Sequence, residues 1–326
     1  MPTEDEIVAM SRERIERGSK SFAGAARLFD GRTRDSAYML YAWCRHCDDA
    51  IDGQELGFPR TRNAGEPSGI EIVDMLERET LTALAGRPDG PVYAALHRVV
   101  ETHNIPHVHP LELIEGFRMD ATGFRPQTIG DTLTYCYHVA GVVGVMMAIV
   151  MGARGADALN RAADLGIAFQ LTNIVRDVVA DAEAGRVYLP ADWLRKSGLA
   201  PADVASPARR EVVFGIARRM LEEADRYYAS ASGGLRYLPF RSAWAVASAR
   251  NIYRRIGGVV LEQGPSAWSE RARVGSGAKL AGVASALVPA LISVLPAAPP
   301  PPRQGLWTRP GLGSREGMGS HVSDRV

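Results

Sequence analysis

Charge of one sign is the first thing this 326-residue chain lacks: 38 Lys and Arg stand against 37 Asp and Glu, a formal net charge of +1. No basic run long enough to follow a phosphate backbone is present, so nothing points to a nucleic-acid partner. Cysteine is scarce as well. With only Cys44, Cys47 and Cys136, a disulfide framework is excluded and a reducing compartment fits. Cys44 and Cys47 form a C-x-x-C, but inside a long helical pattern with no second pair, so they read as small buried helix residues rather than a redox or zinc pair. The N-terminus, M-P-T-E-D-E-I-V-A-M, lacks a basic start followed by an apolar core, which argues against a secretory signal or a typical transit peptide. Alternating β-branched runs between turn pairs, the mark of strands, are missing. No strand leads into a G-x-G-x-x-G, which removes the usual sign of a dinucleotide site.

What is there is helical period, from the N-terminus to about residue 295. Residues 33–52, 70–86, 91–103, 110–122, 128–152, 157–183, 207–232 and 241–263 read as helices, separated by Gly, Pro, Asn and Asp clusters. The stretch from Val139 to Met151 is apolar on more than one side and belongs at the centre of a bundle. The fold class is therefore all-α, a single domain over 1–295, and such bundles build ligand sites from facing helices. Residues 53–69 have the chemistry of a lid-like loop. The isolated H-x-H of His107 and His109, flanked by Pro106 and Pro110, reads as loop rather than metal site. From 296 to 326 the chain is rich in Pro, Gly and polar residues, and disorder is expected. Between Leu280 and Ala298 there is no charge; the prolines and alanines make this a terminal helix, packed or resting on a bilayer surface, rather than a span.

Two sets of carboxylates carry the chemistry. In Y-A-W-C-R-H-C-D-D-A-I-D, Asp48 and Asp52 are four apart, with Asp49 adjacent. In Q-L-T-N-I-V-R-D-V-V-A-D, Asn173, Asp177 and Asp181 follow one another at the same spacing. Residues four apart share a helix face, where like charges repel, and the neighbours (Ala50, Ile51, Ile174, Val175, Val178, Val179) are too apolar for an ordinary solvated face. A cation resolves this. Oxygen ligands suit Mg²⁺ or Mn²⁺, which complete their coordination with water and phosphate. Arg45 and Arg176 each lie within a turn of one acidic set and offer planar donor forks to phosphate oxygens. Carboxylate, divalent metal and arginine together suit a departing diphosphate, and apolar helix walls would shield an allylic cation from water.

These blocks resemble the squalene/phytoene synthase family, all-helical enzymes that join two allylic diphosphates head to head. The resemblance runs from G-S-K-S-F-A at 18–23 to about Arg271. It takes in the two acidic blocks, Y-C-Y-H-V-A-G-V-V-G at 135–144 and G-R-V-Y-L-P at 185–190, in the family's order and with wording like that of bacterial members that make phytoene. It implies an isoprenoid-synthase-type helical bundle with a central active-site cavity. It also implies a geranylgeranyl transfer: two geranylgeranyl diphosphates condense to prephytoene diphosphate, and a second ionisation gives phytoene, the first committed carotenoid precursor.

Carried over by position, the resemblance implies that Asp48, Asp52, Asp177 and Asp181 hold two or three Mg²⁺ or Mn²⁺ ions, with Asp49 and Asn173 assisting. Lys20, Arg45, Arg176 and Arg271 would contact diphosphate, with Ser19 and Ser21 beside them. Tyr41, Tyr135, Gln170, Tyr188 and Tyr253 would line the reaction centre. ATP is a requirement associated with bacterial relatives, although no nucleotide motif is present; NADPH is not expected. The implied location is the cytoplasm, on the inner face of the cell membrane, beside other carotenoid-pathway enzymes. Two alternatives stay open: a squalene or dehydrosqualene synthase acting on farnesyl diphosphate, and a non-catalytic assembly factor of the same fold, in which the acidic sets should have eroded.

Overall fold

Capping chemistry starts the helices where the sequence places its Ser, Thr and Asp residues. Thr3 and Glu6 form a reciprocal capping box at the start of α1 (Glu4–Gly18), and Ser68 with Glu71 does the same for α4 (Gly69–Leu84). Such boxes satisfy amides that the first turn leaves unpaired. Between these, α2 (Lys20–Ala26) and α3 (Gly31–Asp52) follow. Asp30 caps α3, and Gly53 ends it in the left-handed region at φ 64°, which a residue without Cβ adopts without strain. The helix carrying the first acidic set therefore stops directly after Asp52.

The structure, a computed structural model, describes residues 3–55, 58–59, 68–296 and 298–309; the side chains of 20, 21, 52, 54, 55, 58 and 59 lie outside the described part. Most of the lid-like segment expected over 53–69 is thus outside it. Its described ends include a two-residue antiparallel pairing, Gln54–Glu55 with Phe58–Pro59.

After α4 come α5 (Gly90–His103), α6 (Val108–Ala121), α7 (Ile129–Cys136), a π-helical turn (Tyr137–Gly141), α8 (Val142–Val150) and α9 (Ala156–Glu183). The chain continues through α10 (Ala191–Lys196), α11 (Arg210–Ser232), α12 (Phe240–Gln263), α13 (Ser276–Ser285) and α14 (Leu287–Ser293). At 28 residues α9 is the axis of the bundle, about 42 Å long, and it packs against α8, α11, α12 and the π turn. Gly144 and Gly166 allow α9 to meet α8 and the π turn backbone to backbone: a Cβ on Gly144 would lie 2.5 Å from the Ala162 carbonyl oxygen, and one on Gly166 2.3 Å from that of Ala140 in the π turn. As expected for a central segment, Val142, Val145, Met146 and Ile149 are buried.

The helix expected over 128–152 runs from Ile129 to Val150 with the π turn as a bulge inside it. There Tyr137 and His138 turn inward to hydrogen-bond Glu112, Tyr137 OH to Oε2 at 2.7 Å and His138 Nδ1 with the backbone oxygen at 2.9 Å. Three expectations need correction. His109 is not in a loop: α6 begins at Val108, tolerating Pro110 in its first turn, and His109 is buried with Nδ1 3.0 Å from Glu112 Oε2. The uncharged C-terminal stretch forms two short helices rather than one.

Lastly, the disorder expected from 296 onward does not hold through Arg309. Residues 298–309 are irregular in backbone yet bound to α9 and α11, with Arg303 pairing to the fully buried Asp164 and the Trp307 ring tilted against that of Tyr137, centroids 4.9 Å apart. Composition averages over a Pro-rich segment, whereas one buried guanidinium and one indole are enough to hold it. Cys44 and Cys47 both lie in α3 as expected; Cys47 is buried, whereas Cys44 is half-buried and lines the cavity described below, its thiol pushed up to about 12 by desolvation.

Candidate active site

The cavity opens between α3 and α9 and runs down through α2, α6, α8 and α12, with a volume of about 450 Å³. Its deep walls are apolar, among them Leu113, Phe117, Val143, Met147 and Leu165, and its charged groups other than Arg161 gather at the mouth. Tyr41, Arg45, Asp48, Tyr135, Gln170, Asn173 and Tyr253, all singled out from the sequence, line this one space.

On α3, Tyr41, Arg45 and Asp48 stack one turn apart. Arg45 donates from Nη1 to Asp48 Oδ2 at 2.6 Å and from Nε to the Tyr41 hydroxyl at 3.3 Å. Asp49 is buried, 3.8 Å from Arg45 Nη1, and does not line the cavity. The side chains of Lys20, Ser21 and Asp52 lie outside the described part. Ser19 accepts from the Phe22 amide as the cap of α2, so its hydroxyl is engaged locally.

On α9, Asp177 is gripped from two sides. Arg176 donates to it from Nε and Nη2, and Arg271, far along the chain, adds a two-pronged bond with both distances 2.8 Å. Burial raises the Asp177 carboxyl, but the two guanidiniums outweigh it and hold the group below its ordinary value. One turn on, burial pushes the Asp181 carboxyl up to about 6; Arg186 opposes the shift and Asp177 adds to it. The side-chain oxygen of Asn173 is buried without a hydrogen-bond partner, while its amide nitrogen donates to Gln170 at 3.3 Å.

The unpaired buried oxygen of Asn173 and, two turns further along α9, the carboxyl of Asp181 that burial pushes up are both oxygens that a bound cation would satisfy. The donor set is all oxygen, which fits Mg²⁺ or Mn²⁺. Among the described residues no three His, Cys, Asp or Glu side chains converge into a ready-made cluster.

Asp120 on α6 was not legible in the sequence. It lines the cavity and accepts from two tyrosines, Tyr135 OH to Oδ2 at 3.1 Å and Tyr188 OH to Oδ1 at 2.8 Å, whose rings stack 4.7 Å apart. Burial, reinforced by the Asp120 charge, raises both hydroxyls and keeps them protonated. A lone Asp at the end of an amphipathic helix, with no carboxylate a turn away, carries no spacing signal. Opposite, Tyr253 stacks on Phe169 at 4.2 Å and completes the aromatic rim with Phe22.

Residues 15–277 match the squalene/phytoene synthase family. A 15-cis-phytoene synthase of Pantoea ananas is 49% identical over 294 residues, covering 90% of this chain and 94% of its own. One from Paracoccus sp. is 47% identical over 308 residues, 94% of this chain and 98% of its own. Among solved structures, a dehydrosqualene synthase in complex with ligand superposes with a TM-score of 0.77 at 29% identity, covering 87% of this chain and 96% of that one.

Proposed function

The chain belongs to the squalene/phytoene synthase family, and we propose from that premise that it is a 15-cis-phytoene synthase, condensing two geranylgeranyl diphosphates head to head. The observation that carries the reading is near-50% identity to phytoene synthases over nine-tenths of the chain. The site agrees with it: a charged mouth leads into an apolar tunnel, as a diphosphate with a long prenyl tail requires. Both carboxylate-bearing helices keep their acidic residues, which argues against the non-catalytic alternative.

In this reading Arg45, Arg176 and Arg271 bind diphosphate oxygens, and Asp48, Asn173, Asp177 and Asp181 hold Mg²⁺ or Mn²⁺. When bound, the metal supplies positive charge that stabilises the departing diphosphate. The protein's own side chains do the rest. Leu113, Phe117, Val143 and Met147 exclude water from the allylic cation formed at each of the two ionisations. Asp120 fixes the Tyr135 and Tyr188 hydroxyls at the rim, and the Tyr41 and Tyr253 rings face the same space, where their π-faces favour a passing cation.

Peripheral membrane contact belongs to the same proposal. The substrate tails and hydrocarbon product are too apolar to leave into water, each CH₂ being worth about 0.8 kcal/mol. The segment Ser276–Ser293 has a mean hydropathy of 1.4 with only 11% buried, and Leu280, Val288, Leu291, Ile292 and Leu295 on and beside it are exposed. Incubation of purified protein with Mg²⁺ or Mn²⁺, with and without ATP, and with geranylgeranyl or farnesyl diphosphate tests the reading. Phytoene from the geranylgeranyl substrate is expected. A squalene-type product from farnesyl diphosphate alone, or no head-to-head product from either, would overturn it.

A further inference from the structure

Away from its mouth the cavity meets one charged residue. Arg161 lies on α9 twelve positions before Asn173, about 18 Å along the helix, and lines the far end beside Ala158, Ala162, Ala231, Gly234 and Leu238. It is 3% exposed. Its guanidinium donates from Nε to Asp157 Oδ2 at 2.9 Å, from Nη1 to the Ser230 carbonyl at 3.0 Å and from Nη2 to the Pro301 carbonyl at 2.7 Å. The last acceptor belongs to the C-terminal segment, whose Pro300 lies against Gly233: a Cβ there would come within 2.7 Å of Pro300 Cβ and 2.8 Å of Arg161 Nη1. One side-chain layer, Arg161, therefore separates the end of the cavity from the chain's C-terminal segment.

That segment is anchored as a structural element. Asp164, one turn beyond Arg161, is fully buried, and Arg303 meets it with both prongs, Nε to Oδ2 at 2.7 Å and Nη2 to Oδ1 at 2.6 Å. Ser230 donates to the same carboxylate at 2.6 Å. Further along, the Trp307 amide donates to the Tyr227 hydroxyl at 3.0 Å, Arg226 to the Gly305 carbonyl at 2.9 Å and Arg309 to Asn160 at 2.9 Å. A fully buried carboxylate is strongly disfavoured without its cation, so α9 is built to receive Arg303.

We infer that residues 298–309 form the outer wall of the distal cavity, clamped by Arg303, and that they fix Arg161 as the stop against which the prenyl tail ends. This rests on the prenyl-diphosphate reading of the cavity. Arg303 is thus a positioning residue for substrate length, acting through Arg161 without touching substrate. With the clamp released, Arg161 loses its outer acceptor and its cover, and the end of the tunnel is free to lengthen.

The test compares kcat/KM for geranylgeranyl and geranylfarnesyl diphosphate, one isoprene unit longer, in the full-length wild type, in Arg303→Met and in the double variant Asp164→Asn with Arg303→Met. The double variant removes the unpaired buried charge and so guards against simple unfolding. Each is assayed well below its own melting temperature, with inhibition by inorganic diphosphate as a check on the mouth. The preference for the longer substrate should rise by about tenfold, on the scale at which apolar pockets discriminate length, with diphosphate inhibition unchanged. A shift of less than about threefold in the folded double variant, or equal losses on both substrates, would make the segment a stabilising strap only and overturn the inference. Failure of the wild type to turn over geranylgeranyl diphosphate would instead sink the functional reading, and this inference with it.

Discussion

Arg271 closes a two-pronged hydrogen bond onto Asp177 across 94 residues of chain, Nε to Oδ1 and Nη2 to Oδ2 both at 2.8 Å. A residue placed among the diphosphate ligands and one placed among the metal ligands thus satisfy each other. The Arg271 side chain is 59% exposed and that of Asp177 only 19%, so the arginine is the partner that faces solvent. In the functional reading proposed above, substrate arrival exchanges this pair for phosphate on the guanidinium and metal on the carboxylate.

Arg271→Gln should therefore cost little stability, about 0–1 kcal/mol, because Arg271 faces solvent and Asp177 keeps Arg176 as its partner. The KM for geranylgeranyl diphosphate should rise by about tenfold through the lost charge-assisted bonds to phosphate. Melting curves and steady-state kinetics decide it; a large drop in melting temperature with unchanged KM would assign Arg271 to structure alone.

Asp177→Asn keeps the shape of the side chain but removes the charge that Arg176 and Arg271 share and that the proposed metal would meet. Turnover should fall by at least about a hundredfold while circular dichroism stays native. Activity near wild type would remove Asp177 from the metal-holding residues.

Asp120→Asn offers the Tyr135 and Tyr188 hydroxyls one acceptor and one donor in place of two acceptors. We expect kcat to fall by about tenfold to a hundredfold from displaced tyrosines, with KM little changed. A fall confined to KM would place Asp120 in substrate binding instead.

Glu112 gives a pH signature remote from the mouth. Burial raises its carboxyl, but the hydrogen bonds from His109 and Tyr137 outweigh this and bring it below the ordinary 4.5. A depressed folded value means stability fully present above about 4.5 and lost as pH falls through the folded value. Glu112→Gln should cost about 1–3 kcal/mol near neutral pH, and the gap to wild type should close on acidification. Denaturant melts between about pH 3 and 7 measure it; a gap constant with pH would show that the charge of Glu112 contributes nothing.

For the membrane surface, serine in place of Val288, Leu291, Ile292 and Leu295 together should abolish flotation with anionic liposomes at unchanged melting temperature. These side chains are 49% to 60% exposed and support no core. Substitution is the cleaner test, because truncation after Lys279 would also remove Arg303 and Trp307, which the bundle holds. Retained flotation would place lipid contact elsewhere.

The all-helical class and both acidic faces were legible in the sequence because they are local. A spacing of four places Asp48 with Asp52, and Asn173 with Asp177 and Asp181, on single helix faces whatever the rest of the chain does. Spacing reaches no further than a turn or two. It carried no sign of Asp120 beneath Tyr188, 68 residues away, or of Arg303 on Asp164, 139 residues away. It did not separate Asp49, which faces inward, from its neighbour Asp48 at the cavity. Those pairings depend on how the helices cross, and the crossing is set by contacts such as Gly144 and Gly166 against the facing backbone. The C-terminal segment makes the same point: its proline-rich composition says only that it forms no helix. That it stays on the bundle was decided in three dimensions, where a buried carboxylate on α9 needed a cation and Arg303 was within reach.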